Sequence, residues 1–343
     1  MADNGPDAIL VTSEVMRRYL TGFHSTDGIL VVTKKGANFF TDSRYIEAAQ
    51  MRIKDAEVCC VEGSNTYAKL VSEAVKGADT LGFEEDKMSV KSFESWSGIL
   101  KCKFVPSSEL LNELREVKSS EQLEKLRDAQ KLTDELFSEL VEYVAEGRTE
   151  REIAAEIQYR FLKKGAEGMS FPPIVVSGPN SSMPHGVPGD RKLAQGEFVT
   201  MDFGCVLDGW CSDMTRTVAI GEASQEMRDV YNTVLQAQLE GIKTAKAGVP
   251  GGEVDAAARK IITDAGWGKY FGHSFGHGLG MEVHEQPNAS SVNNKPLKAG
   301  NVISAEPGIY LPGRFGVRIE DVLIITPHGC EDITHSEKQL LVL

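Results

Sequence analysis

A chain of 343 residues exceeds what one hydrophobic core ordinarily organises, so two domains are expected. With 41% hydrophobic and 25% charged residues, and no apolar run of the roughly eighteen residues a membrane span needs, the composition is that of a soluble globular protein with no membrane partner. The formal charge of -13 would repel phosphates and argues against a nucleic-acid partner.

The first thirty residues carry no basic segment followed by an apolar one, so a cytoplasmic location is expected. Beyond them the chain alternates strand-like and helix-like segments. Gly28 to Thr33 is a short β-branched run, and Thr66 to Lys76 has apolar residues at helical spacing, which together predict a small α/β domain. The pattern breaks around Pro106, Ser107 and Ser108, and the expected domains are 1-115 and 116-343. The six cysteines, Cys59, Cys60, Cys102, Cys205, Cys211 and Cys330, form no C-x-x-C pair and are expected to be reduced thiols.

Ser119 with Gln122, and Thr149 with Glu152, are capping boxes that open two amphipathic helices, whose stripes stop at Gly147 and Gly165. Helical spacing returns from Ser224 to Ala247 and from Glu253 to Ala265, so a second helix pair echoes the first. Each pair precedes one histidine and a hairpin with two carboxylates: His185 before Asp202 and Asp213, His284 before Glu306 and Glu320. This reads as an internal duplication without sequence identity, the alternative being chance similarity between two α+β segments.

Asp208-Gly209 is a hairpin turn signal, and with it at the tip position 202 faces 215. Asp202 and Asp213 then lie diagonally on one face, roughly 7 to 8 Å apart at the backbone. Pro312-Gly313 plays the same part for Glu306 and Glu320, which share parity about it. Four acids among Val199, Phe203, Val302, Ile303, Val322 and Leu323 are costly to bury unless cations lie between them. Two divalent ions, with His277 as a neutral ligand, answer that cost; the alternative is that some acids cap turns or pair with Arg216 and Arg318. The glycines around His277 exclude a stable helix and argue against a helical zinc pair with His273.

These residues resemble a known family. Met183-Pro184-His185-Gly186, Met201-Asp202-Phe203-Gly204, the run Cys211 to Thr217, Gly276-His277-Gly278-Leu279-Gly280, Val283-His284-Glu285, the run Ala305 to Tyr310 and the run Gly316 to Asp321 are similar to the Xaa-Pro branch of the creatinase/methionine aminopeptidase group: prolidases and aminopeptidases P. Tyr19 to Phe23 and Thr41 to Tyr45 resemble the small domain that precedes the catalytic one in that branch. The resemblance implies an α/β N-terminal creatinase-like domain followed by an α+β pita-bread catalytic domain with an internal pseudo-twofold. It implies hydrolysis of an N-terminal Xaa-Pro bond, in a di- or oligopeptide, by a hydroxide between two divalent metals: manganese as the first expectation, with cobalt, zinc and iron as alternatives. Asp202 would hold one ion, His277 and Glu306 the other, with Asp213 and Glu320 bridging. His185 and His284 match substrate-side histidines, Glu306 a proton carrier, and a homodimer is implied.

Asn288 stands where prolidases often place an arginine for a dipeptide's carboxylate, so dipeptidase and aminopeptidase P activity both stay open; Arg191 could approach instead. The competing functions are a catalytically inactive pita-bread protein serving as a binding module and a creatinase-type hydrolase of a small amidine.

Overall fold

All four residues of the strand Ala8–Val11 are buried, and its side chains alternate between two cores: Ala8 and Leu10 join Val31, Phe40, Val71 and Leu81, while Ile9 and Val11 join Met16, Leu30, Phe39 and Ala49. A strand apolar on both faces belongs inside a sheet covered on both sides. The computed structural model, which describes residues 5–343, shows such a sheet in the first of two units, the one ending at Leu114. Its strand order is Glu57–Cys60, Gly36–Thr41, Ile29–Thr33, Ala8–Val11, Thr80–Phe83, Lys103–Pro106. The three central and N-terminal strands pair antiparallel and the outer ones parallel. Helices Glu14–Thr21 and Ile46–Arg52 contribute Met16 and Ala49 to one core, and helix Tyr67–Ala74 contributes Val71 to the other.

The second unit, Arg115–Leu343, is built on two helix pairs. Both expected capping boxes form: Ser119 with Gln122 opens Ser120–Leu140, and Thr149 with Glu152 opens Glu150–Lys163. Each satisfies two orphan amides and is worth about 1 kcal/mol. The first helix stops at Leu140, short of Gly147. Val141 to Val144 continue the apolar stripe as turns, and the Gly147 amide donates to Leu193 O. The second pair is Gln225–Thr244, capped by Ser224, and Gly251–Asp264. Ala245 to Ala247 leave the helix because the Ala247 amide donates to Thr326 O instead.

Each helix pair packs on its own strands. Leu136, Phe137, Ile153, Ile157 and Phe161 bury Val175, Val199, Met201, Phe203 and Val218; Val230, Val234, Val254, Ala258 and Ile262 bury Ile303, Ile309, Val317 and Leu323. These two like cores are the structural form of the duplication. The strands are a three-stranded sheet (Met214–Ile220, Glu197–Phe203, Ile174–Ser177) and a five-stranded one (Glu285–Ala289, Gly276–Gly278, Val302–Ala305, Asp321–Ile325, Cys330–Asp332), with two smaller sheets.

Candidate metal centre

The hairpin after Glu197 has the expected register: Asp202 faces Thr215, and Leu207 pairs with Trp210 across Asp208 and Gly209. Both turn residues have positive φ, 48° and 83°, as the tight hairpin turn requires. The second hairpin departs from one continuous pair. Gly308–Leu311 and Phe315–Arg318 form their own two-stranded sheet around Pro312 to Arg314, and Val302–Ala305 pairs with Asp321–Ile325 in another. Glu306 and Glu320 sit at the break between the two sheets. The registers Ala305 with Asp321 and Gly308 with Arg318 on either side put them across from each other. Asp213 occupies the matching break before Met214–Ile220.

His277 comes from the strand Gly276–Gly278, which passes close against its neighbour: a Cβ on Gly276 would lie 1.9 Å from Ser304 O. That approach is why the segment is glycine-rich, and it brings the imidazole to the carboxylates. Asp202, Asp213, His277, Glu306 and Glu320, with His185 and His284, all line one cavity of about 710 Å³. Ligand atoms of Asp213, His277 and Glu320 lie within 4.8 Å of one another. His277 Nε2 is 3.3 Å from Glu306 Oε1 and 3.5 Å from Asp213 Oδ2.

The charges in this cluster are unmet. Asp202 Oδ1, Asp213 Oδ1 and Glu320 Oε1 are buried without a hydrogen-bond partner among the described residues. Burial first, and then neighbouring carboxylates, pushes Asp213 and Glu320 well above the usual carboxylate range, and burial raises Glu306. Burial also lowers the His277 imidazole, keeping it neutral. Its Nδ1 is 3.2 Å from Gly278 O, and a carbonyl only accepts, so Nδ1 carries the proton. The Nε2 lone pair therefore faces carboxylate lone pairs, an arrangement that is repulsive without a cation between them. Oxygen donors with one imidazole suit divalent ions such as manganese, iron, cobalt or zinc.

One acid does find a protein cation. Arg318 Nη2 donates to Asp202 Oδ2 at 2.6 Å, while Nη1 donates to Tyr310 OH at 2.8 Å. Arg216, the other arginine considered, binds Asp321 outside the cluster. Thr215 donates to Glu320 Oε2 at 2.7 Å, and Ser304 donates at 3.1 Å to Glu306 Oε1, the oxygen that also faces His277, so both carboxylates are held in orientation. Tyr310 in turn donates to His273 Nε2 at 2.9 Å, since His273 Nδ1 is occupied by Ser274 O at 2.9 Å. The pairing of an acid with Arg318 was the alternative the sequence left open, and among the described residues it holds for Asp202 alone; His273 and Tyr310 were given no role, although Tyr310 lies inside the motif run around Glu306.

His284 stands just before Glu285–Ala289, half-buried, its ring edge-on to His277 at 4.3 Å between centroids. His185 is on the loop after the short turn Gly178–Ser182. Phe171, Pro172, Pro173, Ile174, Val187 and Val292 give the cavity apolar walls. Asn288 reaches the cavity, with Oδ1 accepting from Ser290. Arg191 does not line it. Its guanidinium is committed to Glu197 at 2.5 Å and Ser177 at 2.8 Å, so it is no substitute for the missing arginine.

Comparison with known proteins agrees with this architecture. Metallopeptidase family M24 matches residues 124–327 and the Creatinase/Prolidase N-terminal domain matches residues 1–117. An Xaa-Pro dipeptidase of Pyrococcus furiosus is 34% identical over 99% of this chain and 97% of its own. Among solved structures, an Xaa-Pro dipeptidase from Bacillus anthracis superposes with a TM-score of 0.95 at 41% identity, covering 99% of this chain and 96% of that one. An X-Pro aminopeptidase from Thermotoga maritima gives 0.94 at 36%, covering 99% and 98%. The fold with its two like cores, the motif runs and these matches together make the chain a member of metallopeptidase family M24, in its Xaa-Pro peptidase branch, with a creatinase/prolidase N-terminal domain.

Proposed function

We propose that the protein hydrolyses the bond between an N-terminal residue and proline, using two divalent ions held by Asp202, Asp213, His277, Glu306 and Glu320. The observation that carries this reading is one cavity in which Asp202 Oδ1, Asp213 Oδ1 and Glu320 Oε1 are buried without a hydrogen-bond partner among the described residues, while the His277 Nε2 lone pair faces Asp213 Oδ2 and Glu306 Oε1. Asp202 would hold one ion, His277 and Glu306 the other, with Asp213 and Glu320 between the two. When bound, the ions would make water nucleophilic near neutral pH and polarise the scissile carbonyl.

The chain's own residues do the rest. Thr215 and Ser304 keep the Glu320 and Glu306 carboxylates oriented. Glu306, buried with a raised pKa, is suited to take a proton and deliver it to the leaving nitrogen. Burial pushes His284 down, so it is a neutral imidazole able to donate to the developing oxyanion. His185 orients the substrate from the facing loop. A proline on the leaving side has no N–H and a fixed φ, and the apolar wall of Phe171, Pro172 and Pro173 offers its ring a surface without asking for a donor.

Substrate length has its own clue. Among the described residues lining the cavity, Arg318 is the one permanent cation, and Asp202 and Tyr310 occupy it. A dipeptide's carboxylate finds no free guanidinium among the described residues lining this cavity, which favours peptides extended beyond proline. We also assign manganese, a homodimer and a cytoplasmic location. The six unpaired cysteines support a reducing compartment, and among the described residues no helix is long and apolar enough to cross a membrane. The test is release of free alanine from Ala-Pro and Ala-Pro-Ala by metal-stripped protein, with and without manganese(II). Manganese-dependent release from the tripeptide is expected; no release from either peptide would refute the proposed activity.

A further inference from the structure

Among the described residues no hydrogen bond holds the His284 side chain, yet the residue after it is among the most tightly held in the catalytic unit. Glu285 is a carboxylate with a side chain 7% exposed. Lys118 Nζ, fully buried, lies 2.8 Å from Glu285 Oε1, and the buried Arg115 guanidinium bonds Glu285 Oε2 and, at 2.8 Å, Glu282 Oε2. Glu282 and Glu285 bracket Val283 and His284, both of which line the cavity. Two cations and two anions thus close around a three-bond turn of chain that ends in the substrate-side imidazole.

Nothing in fold stability alone requires this arrangement. Burying Arg115, Lys118 and Glu285 carries a desolvation cost that their attraction roughly cancels, and an apolar cluster of the same volume would hold the segment as well or better. What the charges add is a defined geometry. Each Glu285 oxygen has its own cation, so the carboxylate cannot rotate, and its backbone pairs with Gly278, next to His277. A Cβ at Gly280 would fall 2.1 Å from Glu285 Oε1, so the chain has given up a side chain there to seat the carboxylate. Burial would raise the Glu285 carboxyl, and Lys118 and Arg115 hold it below the ordinary value, so it is charged throughout the working range. The backbone of Lys118 is itself pinned, its amide donating to Gly300 O at 2.9 Å.

We infer that Arg115 and Lys118 are positioning residues for catalysis: through Glu285 and Glu282 they fix the 278–287 segment so that His284 meets the scissile carbonyl beside His277. The inference rests on the proposed hydrolysis, and its test separates the two. In manganese-loaded full-length protein, Lys118→Met should lower kcat on Ala-Pro-Ala about tenfold or more, with KM and manganese stoichiometry changed less than twofold. Introduced into His284→Ala, the same substitution should cost less than twofold, because the imidazole it positions is gone. Lys118→Arg should recover part of the loss.

Equal losses in both backgrounds would overturn the inference, as would a wild-type kcat in Lys118→Met. If Lys118→Met does not fold, Glu282→Gln, at the more exposed corner of the cluster, carries the same two-background comparison. Hydrogen exchange reads the clamp without turnover. Faster exchange confined to 278–287 in the variant supports it, and unchanged exchange there overturns it even if the parent proves inactive on proline peptides.

Discussion

Replacing Asp213 with asparagine should make the metal-stripped protein more stable and the metal-loaded protein less so. The facing ligand atoms of Asp213 and Glu320 lie within 4.8 Å of each other in a buried site. At an effective dielectric of 20, two charges at that distance repel by about 3.5 kcal/mol. Partial protonation of the raised carboxyls relieves some of this, leaving a gain of roughly 2 to 3 kcal/mol for Asp213→Asn at pH 8. The new amide can also donate to the His277 Nε2 lone pair, which Asp213 Oδ2 faces at 3.5 Å. At about 2 to 4 °C per kcal/mol for a unit of this size, the stripped variant should melt roughly 5 to 10 °C above the stripped parent. Manganese at a hundred times its dissociation constant stabilises the parent by about 2.7 kcal/mol per site, and the variant should forfeit that shift. Scanning fluorimetry on chelator-stripped protein, with and without manganese(II), reads all four states. A variant that melts below the parent without metal, or that keeps the parent's manganese shift, would refute the cation-site reasoning.

Glu306→Ala should abolish turnover even where calorimetry shows matched metal occupancy, because it removes the proposed proton carrier as well as a proposed metal donor; near-normal kcat at matched occupancy would overturn that role. Gly276→Ala drives a methyl into Ser304 O at 1.9 Å and should cost about 3 kcal/mol or more, visible as a lowered melting temperature; a neutral effect would contradict the close approach of the strands. Asp332 supplies a pH signature away from the centre. Burial and the Asp321 charge push it up to about 6, against the pull of Lys338. Because its folded pKa lies above the unfolded value, the folded state gains stability as pH falls from about 6 to about 4 and forfeits it above. Two pKa units correspond to about 3 kcal/mol, so Asp332→Asn should gain on the parent by an amount of that order between pH 4 and pH 7, measured by denaturant titration. A pH-independent difference would remove Asp332 as the source.

The hairpin about Asp208-Gly209 was legible because turn chemistry sets register, and register places Asp202 opposite Thr215. Capping boxes at Ser119 and Thr149 were legible for the same local reason. The two-sheet break at Glu306 and Glu320 was not, since nothing in a strand pattern says where a strand changes partners. Gly251 and Gly252 hid the start of a helix from propensity: Gly251 is there because a Cβ would meet Asn288 O at 2.3 Å, a contact 37 residues away in sequence. Arg318 was weighed as a partner for the acids, but the extension of the Asp202–Arg318 pair through Tyr310 to His273 escaped notice because its members come from four separate segments, and side-chain networks of that kind leave no periodicity. Arg191 looked available only because its partners Glu197 and Ser177 could not be assigned from spacing.

The donors are divided unevenly between the two like cores. Asp202 and Asp213 stand on or at the ends of strands packed under the first helix pair, and His277, Glu306 and Glu320 on or at the ends of strands packed under the second. During synthesis the first half emerges with two acids only, too few to capture an ion firmly, and the second half supplies the imidazole much later. On the proposed ligand set, metal acquisition would be deferred until both halves have docked in register. The ion would then act as an inspector of assembly: a misfolded or half-made chain would stay unloaded, and so incapable of cutting peptides before its fold is complete.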